Sequence, residues 1–90
     1  MKITIRGENW TEETEGRHLK RFAPLVLVLH QDKQTHWRVS EASTGTLVTG
    51  PHTAAEVAIA MTEALINRKG LPAFQRAIEE RQLKLGLKKA

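Results

Sequence analysis

Lys2 to Arg6 sets Ile3 and Ile5 between polar neighbours, the two-residue period of a strand with one buried face. Leu25 to Leu29 is apolar at every position, bounded by Pro24 and by the polar stretch His30 to Gln34. The run is too short for a helix and predicts a central strand buried on both faces. His36 to Ser40 alternates again, with Trp37 and Val39 on one face and His36, Arg38 and Ser40 on the other, so Gln31 to Gln34 becomes a hairpin turn. After a second turn at Ser43-Thr44-Gly45, Thr46 to Thr49 supplies a third strand of this meander, ended by Gly50-Pro51.

Beyond Gly50 the period becomes helical. Thr53-Ala54-Ala55-Glu56 has the form of a capping box, opening a helix that runs to about Lys69 with Arg68 and Lys69 in its last turn and Gly70 as its C-cap. Val57, Ala58, Met61, Ala64 and Leu65 make one apolar stripe, and Ile59 and Ile66 broaden it. Pro72 suits the first turn of a further helix to about Leu85, with Phe74, Ile78 and Leu85 on one side and Glu80 spaced to pair with Lys84. Between Gly7 and Pro24 the signals are local. Asn9 and Glu12 fit a capping box, and Glu12, Glu13 and Glu15 precede Arg17, His18, Lys20 and Arg21, the order that complements a helix dipole. They predict a short helix, with a loop laid over the core by Trp10, Leu19 and Phe22 as the alternative. Together the elements predict an α+β class: a small two-layer domain, an antiparallel sheet of three to four strands with the C-terminal helices packed on one face.

Ninety residues fit one domain over 1–90, with enough chain for a core and none for a second. With 40% hydrophobic and 27% charged residues the chain has the balance of a folded globular protein. No apolar run reaches the roughly 18 residues of a spanning helix, and no apolar signal segment opens the chain, so a cytoplasmic protein without membrane contact is expected. The absence of cysteine excludes disulfides, thiol nucleophiles and thiolate metal ligands.

Charge changes this picture more than composition does. The net charge is +4. From Arg68 onward seven basic residues face two acidic ones, a local excess that attracts a polyanion or an acidic protein surface. The basic side chains fall into three groups: Arg17, Lys20 and Arg21; Arg38 beside His36; and Arg68, Lys69, Arg76, Arg81 and Lys84, continued by Lys88 and Lys89. Joined with Trp37, they would form a nucleic-acid surface. Glu79 and Glu80 interrupt the largest group.

The predicted order helix, strand, strand, strand, helix from Trp10 to Leu65, with Pro24 before the first strand, a hairpin leading to Trp37 and Val39, then Gly45, Gly50 and an alanine-rich helix, resembles a double-stranded RNA-binding domain. It is similar also to the HicB-like antitoxin shape and to small phage-encoded proteins. The resemblance implies a regulatory factor of a phage or mobile element. The second helix of the RNA-binding family opens with phosphate-contacting lysines, whereas Ala54, Ala55 and Glu56 stand at that place here, so the resemblance implies shape rather than RNA binding.

No spacing supports catalysis or a cofactor. Ser40 and Ser43 lack a GxSxG turn, His30 and His36 flank a hairpin without a two-ligand metal motif, and Glu56 takes the place of a phosphate at the Thr53 helix start. A non-enzymatic module with no small-molecule substrate is expected. Two apolar surpluses point to a protein partner or a homodimer: Val26 or Leu27, on the second face of the central strand, and Leu83 and Leu87, on the far side of the last helix.

Overall fold

The computed structural model describes residues 1–7 and 9–87. Lys88 and Lys89 of the basic tail lie outside the described residues. Strand β1, Lys2–Arg6, pairs antiparallel with β2, Thr11–Glu15, as a two-stranded ribbon in which Ile3 faces Thr14 and Ile5 faces Glu12 across the ladder. The expected helix over residues 9 to 22 is therefore replaced by β2, a two-residue strand β3 at Arg17–His18, and a single 3-10 turn at Lys20–Phe22. Thr11 and Thr14 are β-branched, and the ribbon gives the backbone of β1 a partner that a helix there would not supply. With this hairpin first, the helix-led order on which the resemblance rested is absent from the described residues.

The second sheet has four antiparallel strands in the order β3-β4-β5-β6, with β4 at Leu27–Gln31, β5 at Trp37–Glu41 and β6 at Leu47–His52. The strand at Lys2 does not join it, contrary to the single sheet expected. Pro51 does not end β6 either, because β6 is an edge strand where a missing N–H breaks no ladder bond. Helix α1, Ala55–Lys69, packs across one face, and α2, Leu71–Lys84, follows after Gly70, whose N–H donates to the Ile66 carbonyl at 2.7 Å.

The core between sheet and helices holds Leu19, Phe22, Leu25, Leu27, Leu29, Val39 and Ala58, with Ile59, Ile66, Phe74 and Ile78 packed at its margin. Leu27 has 0% exposure; its proposed place in an interaction surface is corrected, since it points into the helix-side core. Val28, one residue on, points to the other face and is equally enclosed. The predicted stripe of α1 is rotated: Ala58 and Thr62 are buried, while Val57 is 45% and Met61 48% exposed. Thr62 tolerates burial because its hydroxyl donates to the Ala58 carbonyl at 2.8 Å. Nor does Thr53 cap α1. Ala54 is the N-cap, without a side-chain hydrogen bond, because β6 continues to His52 and leaves Thr53 and Ala54 to make the connection.

Candidate functional site

The β1–β2 hairpin lies over the sheet face opposite α1. It is tethered where the Arg6 N–H donates to the Gly45 carbonyl at 3.0 Å, and its open end is closed by the Gly16 N–H donating to the Met1 carbonyl at 2.9 Å. Gly45 has φ +68°, and the Thr4 carbonyl occupies the place a Cβ would need. At the far end the Gly7 N–H donates to the Trp10 carbonyl at 2.8 Å, and the Trp10 indole lies against Gly7 where no side chain would fit. The hairpin and sheet enclose between them a cleft of about 750 Å³. Its walls include Ile5, Arg6, Trp10 and Glu12 from the hairpin and His30, Asp32, Arg38 and Ser40 from the sheet side.

Ladder register places these side chains. Val28 faces Ser40 and His30 faces Arg38, so all four share the hairpin side of the sheet. His30, 2% exposed, contacts Ser40 Oγ through Nε2 at 2.8 Å, and its Nδ1 is enclosed with no hydrogen-bond partner. The imidazole tautomer sets which of the two donates. Ser40 is wholly enclosed, so the pair is a buried tie between strands. Asp32 organises the β4–β5 turn: Oδ1 accepts from the backbone N–H groups of Gln34 at 2.9 Å and His36 at 3.0 Å, and Oδ2 accepts from Arg38 Nε at 2.8 Å. The Arg38 bond first, reinforced by those of His36 and Gln34, holds the Asp32 carboxyl below its ordinary range.

Burial first, then the Arg38 charge, holds the His30 pKa below that of a free imidazole, against opposing influences from the Gln31 backbone, Asp32 and Glu12. A depressed folded pKa means that the unfolded chain binds the proton more readily. The stabilisation is complete above the unfolded value of about 6.5 and is lost as pH falls below it toward the folded value. Denaturation midpoints measured at pH 7.5 and 5.5 are expected to fall on acidification, and to fall less in His30→Gln. Arg6, Glu12, Asp32, Lys33 and Arg38 are the other charged groups that line the same cleft.

The basic side chains do not form one surface. Arg38 is on the hairpin side, bound to Asp32. Lys20 and Arg21 are exposed on the 3-10 turn, where Arg21 lines a groove with Glu63, Ile66 and Asn67 of α1; Arg68 and Lys69, next in the helix, are exposed. Arg17 lies on edge strand β3, and Arg76, Arg81 and Lys84 are exposed on α2.

Among the expected apolar contact residues, Val26, Leu83 and Leu87 are exposed. Sequence reasoning placed a second exposed pair, Val57 and Met61, in the core-facing stripe instead. Between and beyond them at helical spacing lie Ala60 and Ala64, also exposed. Among the described residues, no group of three His, Asp or Glu is placed to hold a metal, and no helix is long and apolar enough to cross a membrane. No family model, curated protein or solved structure matches the chain.

Proposed function

We propose that the chain is a non-enzymatic interaction module that associates with a second copy of itself through the outer face of α1. The observation that carries this reading is the exposure of Val57 and Met61 on a helix whose opposite stripe already packs the sheet. Ala60 and Ala64 lie on the same face and allow helix axes to approach to about 8 Å. Charge selects the direction. Glu56 stands in the first turn of α1 and Glu63 near its middle, and its last turn carries Arg68 and Lys69. Antiparallel pairing brings each acidic first turn toward the other copy's basic end and opposes the two helix dipoles, whereas parallel pairing aligns like charges.

Sedimentation velocity from about 1 to 100 µM is expected to show a monomer–dimer equilibrium for the wild type. Val57→Asp with Met61→Asp is expected to yield a monomer whose circular dichroism is unchanged, because both positions are already open to water. A wild type that stays monomeric across this range overturns the reading. The placement of Arg21 against α1 beside Asn67, which Arg68 and Lys69 follow in the chain, favours a second reading, in which the chain associates with nucleic acid. Its mark is affinity that falls steeply with salt and weakens when Arg68 and Lys69 are replaced by Glu.

A further inference from the structure

We infer that the cleft between the β1–β2 hairpin and the four-stranded sheet is a binding site for a small organic oxyanion, a carboxylate or phosphate joined to a flat apolar body. The site is independent of the α1 face.

The donor and acceptor inventory of the walls points to this chemistry. Arg6 lines the cleft, and its Nε is enclosed without an acceptor. Arg38 gives only its Nε hydrogen to Asp32, leaving the terminal nitrogens of its guanidinium for another acceptor. Lys33 stands at the same cleft. On the acidic side, Asp32 is already committed to three donors, the N–H groups of Gln34 and His36 and the Arg38 Nε. Glu12 is the remaining acid of the lining and is exposed. The cleft is therefore rich in donors and poor in uncommitted acceptors. A cation would find one carboxylate and three repelling bases; an oxyanion finds the unused Arg38 nitrogens and the Lys33 ammonium.

The flat body follows from Trp10. Its indole lies on Gly7 at the cleft wall and the residue is 55% exposed, which leaves ring surface for a stacking partner. Ile5 lines the same wall. The volume of about 750 Å³ falls within the range of small-molecule sites. Gly7 makes this platform possible, because any side chain there would displace the indole.

The test titrates the full-length protein with acetate, benzoate and adenosine monophosphate, following Trp10 by its indole N–H resonance and His30 by its ring resonances. Saturable shifts of both are expected with benzoate or adenosine monophosphate; which of the two binds tighter distinguishes the carboxylate from the phosphate source. Acetate, which lacks the flat body, is expected to bind at least tenfold more weakly. Arg6→Gln, which removes a positive charge from the lining and keeps a polar side chain, is expected to weaken binding roughly tenfold or more, and Arg38→Gln likewise; Trp10→Leu is expected to erase the advantage over acetate. No saturable shift up to about 10 mM of any probe, or full affinity in both arginine variants, overturns the inference.

Discussion

Leu27→Ala is expected to lower the free energy of unfolding by about 2 to 5 kcal/mol, measured by urea denaturation with an unchanged slope. The side chain is wholly buried and touches the cluster that joins sheet to helices. Strand β4 has hydrogen-bonded neighbours on both sides and covered faces above and below, so the backbone cannot collapse inward to fill the cavity. Met61→Ala is the contrast. On apolar patterning alone the two substitutions rank together, but Met61 is half in solvent and its truncation is expected to cost no more than about 0.5 kcal/mol in the monomer. Equal losses at the two sites would place the sheet on the other side of α1.

Gly45→Ala is expected to cost about 2 to 5 kcal/mol, combining left-handed backbone strain with overpacking. Gly45 has φ +68°, and the added methyl would meet the Thr4 carbonyl, a backbone atom that yields only if the hairpin moves. That same hairpin depends on the Arg6 N–H bond to the Gly45 carbonyl, so strain and lost hydrogen bond act on one joint. Gly86→Ala separates the two terms. Gly86 has φ +72° with nothing near the position of a Cβ, so the strain alone, about 1 kcal/mol, is expected there. Hydrogen exchange at the Arg6 amide should accelerate in Gly45→Ala and stay unchanged in Gly86→Ala.

These two sites also mark where the amino-acid pattern stopped being informative. The strands at Lys2, Leu27, Trp37 and Leu47 and the helices ending at Lys69 and Lys84 follow from residue period, length and the glycine at 70. These are signals carried within each segment, and the structure keeps them to within a few residues at each end. The alternation at His36 to Ser40 also placed Arg38 and Ser40 on the face away from Val39. It did not show that this face forms one wall of a cleft, because the other wall comes from residues 1–16. Of the cleft residues only Arg38 was singled out as a binding residue, and for a surface it does not join. Arg6, Trp10 and His30 had no motif to announce them. The register opposing His30 to Arg38 was available once the turn at Gln31 to Gln34 was accepted, and it is the one signal that pointed toward the site.

Residues 9 to 22 failed for a different reason. Acids before bases and Asn9 ahead of Glu12 favour a helix wherever they occur, at a few tenths to about 1 kcal/mol each. Pairing with β1, seating Gly16 on Val28 and closing the Gly7 turn are gains that exist only when distant residues are brought together. The sequence by itself determined the α+β class, the meander and the two C-terminal helices, since periodicity and turn residues act over a few positions. Only the tertiary structure decided that the N-terminal segment is a hairpin, which side of α1 is buried, and that Arg6, His30 and Arg38 share one cleft. An apolar stripe that wraps most of a helix has no preferred side, and a strand has no preferred partner, until the remainder of the chain supplies the surface that excludes water.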